Sequence, residues 1–309
     1  MTKKEFELLS SDGTTKLHCA SYLPDCDVIG IVQICHGMSE YIDRYDEFAM
    51  YLVSKGFLVV GNDHLGHGKS IHKSSIKGYF ADKNGNECVI NDIRKVHLEI
   101  KAKYPNVPYI IFGHSMGSFL ARQYIILYGN EIDGAIIMGT GNQPPILTSM
   151  GMIFCKIIAA FKGWKHLSPF VNNLAMGSYN KKFGSKDGHE WLSANKQNVK
   201  EYNEDDKCGF TFTLNGFYNM FKGIKYVSLN KNIIKVNKKF PILLISGGDD
   251  PVGNFGIGVT NYYNKLNKYN YRNVSLKLYD GKRHEILKED NRLVVFEDIY
   301  NWIKNIVNV

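Results

Sequence analysis

The chain has 309 residues, 44% of them hydrophobic, and a formal net charge of +8 from 38 basic and 30 acidic side chains. That length suits one large domain, or one domain with an insertion, and the composition excludes a collagen-like or disordered chain. No run of five like charges and no basic–aromatic interleaving occurs, so nucleic acid is not an expected partner. Lys3 and Lys4 are not followed by an apolar core, so no signal peptide is expected, and no stretch approaches 18 uninterrupted apolar residues, so no membrane span is expected. Cys19, Cys26, Cys35, Cys88, Cys155 and Cys208 show no C-x-x-C spacing; free thiols in a reducing compartment are expected, which points to the cytoplasm.

In chain order, residues 4–23 read as a hairpin with Ser11-Asp12-Gly13 at its turn. Short apolar runs at 28–35, 57–60, 109–112, 135–138, 242–245 and 274–279 read as strands. Helical patterns lie at 45–54, 89–103 and 119–128. A last one at 292–307 puts Leu293, Phe296, Tyr300, Ile303 and Val307 on one face. Short, fully apolar strands alternating with helices predict an α/β fold, a mostly parallel sheet covered on both faces. The gap between the runs ending at Met138 and starting at Ile242 spans roughly 100 residues, where one crossover helix would suffice. Residues 142–232 are therefore read as an inserted helical lid on a core formed by 1–141 and 233–309. Within the lid, Met150, Phe154, Ile157, Ile158 and Phe161 form an apolar helical stripe. Such a stripe either packs on the lid's own core or lines an acyl tunnel and touches lipid. The lid carries twelve lysines, no arginine and six acidic residues, a net +6 out of the chain's +8. That suits either a solvated surface or docking on an anionic lipid surface.

Gly113-His114-Ser115-Met116-Gly117 matches G-x-S-x-G, directly after the apolar run 109–112 and before a helical pattern. This strand–turn–helix setting is what a nucleophile elbow requires, and it points to the α/β-hydrolase fold. Serine needs a base, and His284 sits in a loop after the run 274–279, where this fold keeps one. Asp250 follows the run 242–245, giving the chain order Ser, Asp, His. Of the adjacent Asp249 and Asp250, the latter is chosen because Pro251 forces it into extended geometry at the head of a turn. The expected oxyanion donors are the backbone amides of Met116, after the nucleophile, and Met38, after the run 28–35. Gly37, His114, Phe154 and Ile158 are candidates for the substrate pocket. The segment 62–70, with His64, His67 and Asp63, is read as a tight strand-end turn whose side chains tie down backbone, not as a metal site. No metal or cofactor is expected.

Four motifs in order carry a resemblance. His36-Gly37-Met38-Ser39-Glu40 with Arg44-Tyr45, the loop from Asp63 to Ser70, and Gly113 to Gly117 together resemble monoacylglycerol lipases and bacterial lysophospholipases. These belong to the serine aminopeptidase-like branch of the α/β-hydrolases. The resemblance covers roughly residues 1–141 and 233–309, not the lid. It implies a cofactor-free enzyme that cleaves small-molecule esters or lipids, monoacylglycerols or lysophospholipids, through an acyl-serine intermediate. A small-ester or hydroxycinnamate esterase, an aminopeptidase or amidase, an acyltransferase, and a ligand-binding member without turnover are the competing readings.

Overall fold

Each apolar run becomes a strand of one sheet. The computed structural model describes residues 1–184 and 188–307. Its strands are β1 (Thr2–Leu9), β2 (Lys16–Leu23), β3 (Gly30–Cys35), β4 (Phe57–Asn62), β5 (Tyr109–His114), β6 (Gly134–Met138), β7 (Ile242–Gly247) and β8 (Val274–Tyr279). They lie in the order β1-β2-β4-β3-β5-β6-β7-β8. The β1–β2 and β2–β4 pairs are antiparallel and the rest are parallel. Every residue of β3 to β7 is buried, which is why these strands read as unbroken apolar runs and not as alternating ones. The edge strand β1 instead shows Lys3, Lys4, Glu5 and Glu7 to solvent, a charged edge that resists pairing with a second sheet.

Helices cover both faces. α1 (Asp46–Ser54) and α10 (Arg292–Val307) pack on one, where Phe48 and Phe296 meet Phe112, Ile136 and Ile245. α2 (Gly85–Lys103), α3 (Met116–Tyr128) and α9 (Ile257–Lys268) pack on the other, against Ile111, Ile137 and Leu244. α9 was not visible in the sequence: it buries only Val259, Tyr262 and Leu266 in a stretch rich in Asn, Tyr and Lys. The strand ends lie further on than periodicity suggested. β4, β5 and β7 continue through Gly61-Asn62, Gly113-His114 and Ser246-Gly247, glycine and polar residues that interrupt an apolar pattern yet keep their ladder bonds. Register brings Cys35 beside Gly113, His114 beside Met138 and Met138 beside Ile245, so the carboxyl ends of β3, β5, β6 and β7 stand side by side. In open α/β sheets this is the edge over which sites form.

The β6–β7 connection carries α4 (Pro145–Lys162), α5 (Pro169–Met176), α6 (Lys196–Glu204), α7 (Leu214–Ser228) and α8 (Asn230–Ile233). The stripe read from sequence divides on α4, with Phe154 and Ile158 packed partly buried on the core and the remainder exposed. Thr148, Gly151, Cys155 and Ala159 are buried, while Met150, Ile157 and Phe161 are 45%, 53% and 83% exposed. Small residues win because they let α4 lie close on α7: a Cβ on Gly151 would stand 2.7 Å from the Phe221 ring. Among the described residues, α4 is the one helix long and apolar enough, by length and composition, to cross a membrane. Thr148, Ser149 and Lys156 inside it are why no uninterrupted apolar run marked it in the sequence.

Candidate active site

β5 delivers Ser115 at a forced turn. Ser115 has φ 54° and ψ −119°, a positive φ at a non-glycine residue, and caps the start of α3. The glycines around it are there for clearance. A Cβ on Gly113 would lie 2.2 Å from the Gly117 carbonyl oxygen, and one on Gly117 would lie 1.9 Å from that of Cys35. Met116 is the first residue of α3, so its N–H has no acceptor within the helix and points toward the serine end.

The loops after β7 and β8 supply the other two groups. His284 Nδ1 lies 2.9 Å from Asp250 Oδ2, and both residues are buried. Asp250 is held in turn by the Ser246 hydroxyl (3.1 Å) and the Val252 amide (2.9 Å), whereas Asp249 is exposed. The other ring nitrogen of His284, Nε2, is buried without a hydrogen-bond partner among the described residues. Its ring stands between His114 and Trp191, at centroid distances of 4.7 and 5.0 Å. Gly139, which the sequence did not single out, makes room for it: a Cβ there would come 2.9 Å from His284 Cε1.

One cavity of about 630 Å³ joins these parts. Gly37, Met38, His114, Ser115, Met116, Phe154 and His284 all line it. Ile158 does not. Although it follows Phe154 by one turn, it packs partly buried against the main core, so that pocket expectation is corrected. His114 lines the cavity but its ring is committed elsewhere: Nδ1 lies 2.9 Å from Tyr45 Oη and 3.1 Å from Glu40 Oε1, and Nε2 lies 3.3 Å from the His284 carbonyl. The 62–70 turn sits beside the loop after β3, where the His64 amide donates to His36 Nε2 at 2.9 Å. Asp63 accepts from the amides of Ile42 (2.9 Å) and Lys69 (2.8 Å) and meets His18 Nδ1 at 3.0 Å. No group of ligating side chains among the described residues is arranged to hold a metal ion.

The sequence profile of the family described as serine aminopeptidase, S33, matches residues 27–291. The chain belongs to this family of α/β-hydrolases. A monoglyceride lipase homolog of Monkeypox virus is 26% identical over 299 residues, covering 94% of each chain. The monoglyceride lipase of Homo sapiens is 25% identical over 304 residues, covering 96% of this chain and 89% of its own. A thermostable carboxyl esterase from Bacillus coagulans, solved in complex with glycerol, superposes with a TM-score of 0.91 at 29% identity over 99% of both chains. The protein is thus a monoacylglycerol lipase-like ester hydrolase.

The electrostatics of this hydrolase centre on a buried cluster that sequence reasoning did not assign. Glu40 and Glu285 stand in the cavity wall, and Arg44 joins them from behind it. Burial disfavours a charged imidazole at His284, but the Asp250 charge and hydrogen bond outweigh it, Glu285 and Glu40 add to them, and the pKa is raised. Burial also pushes the Glu40 carboxyl up, yet His114, then Arg44 and His36, hold it well below the usual carboxylate range. The one signal that could have exposed Glu285 is its place next to His284.

Proposed function

We propose that this hydrolase cleaves monoacylglycerols through an acyl-Ser115 intermediate. His284 takes the Ser115 proton as Oγ attacks the ester carbonyl, and the amides of Met38 and Met116 hold the oxyanion. Asp250 keeps the imidazole oriented and stabilises its protonated form. His284 then gives the proton to the leaving glycerol oxygen and activates water to release the fatty acid, restoring the serine. No metal or cofactor enters this scheme.

The observation that carries the choice of substrate is the charge of the cavity wall. Among the described residues that line it there is no lysine or arginine; the carboxylates are Glu40 and Glu285. Arg and Lys are the favoured partners of phosphate, so the carboxylates in this wall favour a neutral glycerol ester over a lysophospholipid. Phe119, Leu147, Phe154, Phe221 and Ile224 supply apolar lining for an acyl chain. The glycerol bound to the similar Bacillus coagulans esterase supports the same reading.

Residues 142–232 act in this scheme as a lid that rests on lipid surfaces. Ile153, Ile157, Phe161, Phe170 and Leu174 expose apolar side chains on α4 and α5, and the segment's net +6 favours anionic headgroups. The unpaired cysteines fit a cytoplasmic enzyme.

The test is a hydrolysis panel of 1-monoacylglycerols of graded length, lysophosphatidylcholine, short nitrophenyl esters and an aminoacyl-arylamide. Each added methylene should raise monoacylglycerol efficiency until the pocket is full, at roughly 0.8 kcal/mol per buried methylene. Ser115→Ala should lose turnover and fluorophosphonate labelling together. A profile peaking at acetate, or arylamide cleavage without ester cleavage, would refute the proposal.

A further inference from the structure

The ionic cluster at the cavity wall touches three of the four loops that carry the site, those after β3, β5 and β8. Glu40 Oε1 accepts from the Gly37 amide and from Tyr45 Oη (2.8 Å), and lies 3.1 Å from His114 Nδ1. Its Oε2 accepts from Arg44 Nη1 at 2.9 Å. The same guanidinium then forks onto Glu285, at 2.6 and 2.9 Å. Glu285 is the residue after His284, and its own amide is held by the Leu192 carbonyl at 2.7 Å. His114, immediately before Ser115, closes the circuit on the His284 carbonyl at 3.3 Å. The path therefore runs from the Gly37-Met38 loop through Glu40, Arg44 and Glu285 to the base, with the nucleophile elbow attached at His114.

Stability alone is a poor reason for such a cluster. The side chains of Glu40, Arg44 and Glu285 are only 4%, 10% and 5% exposed. Stripping water from three charges costs as much as their attraction returns, and apolar replacements of similar volume often fold as well. What the cluster supplies instead is rigid spacing between loops, together with a net negative charge near the imidazole.

We infer that Glu40 and Glu285, bridged by Arg44, are positioning residues that hold the Met38 amide and His284 at fixed spacing around Ser115. The inference rests on the roles proposed above for Ser115 and His284. Neither carboxylate takes part in bond making; both act through the groups they hold. His284 is faced by Asp250 from the β7 loop, by His114 from the elbow, by Trp191 from the β6–β7 connection, and by Glu285 and Glu40 from behind. Lys288 adds a positive charge beside Arg44 and Glu285. Removing one negative charge from this set lowers the imidazole pKa.

The experiment compares wild type with Glu40→Gln and Glu285→Gln, which keep shape and remove one charge each. Steady-state kinetics are measured on a soluble nitrophenyl ester from pH 5 to 9, with thermal melting as the check on folding. Expected are a fall in kcat on the order of ten- to a hundredfold, below or near the loss of one oxyanion donor, and KM within about threefold. The acid limb of kcat/KM moves to lower pH. The double variant should fall little further than the worse single one, since both act through Arg44. Should Glu40→Gln fail to fold, Glu285→Gln carries the test. Folded variants with unchanged kcat and unchanged acid limb would overturn the inference, as would a rise in KM with kcat intact, which would make them substrate contacts. If wild type itself neither takes up a fluorophosphonate nor cleaves any ester, the reading of Ser115 as nucleophile has failed instead.

Discussion

Asp249 and Asp250 are chemically identical neighbours in opposite surroundings. Asp250 is buried with one oxygen on His284 and the other on the Val252 amide; Asp249 is exposed. Under the proposed mechanism, Asp250→Asn preserves shape while forcing the wrong histidine tautomer, and turnover should drop by up to about 10⁴. Asp249→Asn should stay within about tenfold of wild type, because it has no bond to the base. Steady-state kinetics of the two variants decide the matter, and a crippled Asp249→Asn beside an active Asp250→Asn would reverse the assignment. The distinction was legible in the sequence because Pro251 restricts the backbone of the residue before it, a strictly local constraint. Glu40 and Arg44 stand four residues apart in a motif visible in the sequence, but no such spacing ties them to Glu285, 241 residues from Arg44.

At the scale of an element, α4 shows how a helix can bury its weaker face. Of the large apolar residues in its stripe, Met150, Ile157 and Phe161 are exposed and Phe154 and Ile158 only partly buried; the fully buried positions are Thr148, Gly151, Cys155 and Ala159, which contribute little hydrophobicity and much closeness. The outcome leaves Ile153, Ile157 and Phe161 largely uncovered, at 54%, 53% and 83% exposure. If this face rests on lipid, Ile153→Glu with Phe161→Glu should weaken co-sedimentation with anionic vesicles and slow hydrolysis of vesicle-borne monoacylglycerol. Turnover of a soluble short ester and the melting temperature should change little, since exposed positions affect stability by about 0.5 kcal/mol or less. Unaltered vesicle binding in the double variant would dispose of the docking idea.

For the whole molecule, the packing of the sheet's carboxyl edge has a measurable acid cost. His36, His64 and His67 pack against one another there, and burial holds all three below the ordinary imidazole value, His67 down to about 3. Both ring nitrogens of His64 lack partners among the described residues. An unfolded chain takes up protons at these sites from about pH 6.5 downward, and the folded chain does not. Their contribution to stability is therefore present above that pH and lost as pH falls toward the folded values. His64→Leu removes one such site, so its melting temperature should gain on wild type between pH 7 and pH 5; a gap constant with pH would show that His64 is not held neutral. The sequence by itself determined the succession of strands, four of the helices between and after them, the turn around Ser115 and the family, because these rest on local signals: unbroken apolar runs in strands buried on both faces, glycines where a turn needs clearance, a proline fixing its neighbour. Only the tertiary structure decided which face of α4 is covered, that Ile158 joins the core and not the cavity, that Gly139 makes space for His284, and that Glu40, Arg44 and Glu285 join the loops around Ser115. Apart from the i, i+4 pair Glu40–Arg44, each of those depends on contacts between segments far apart in the chain, which leave no period and no spacing for the sequence to show.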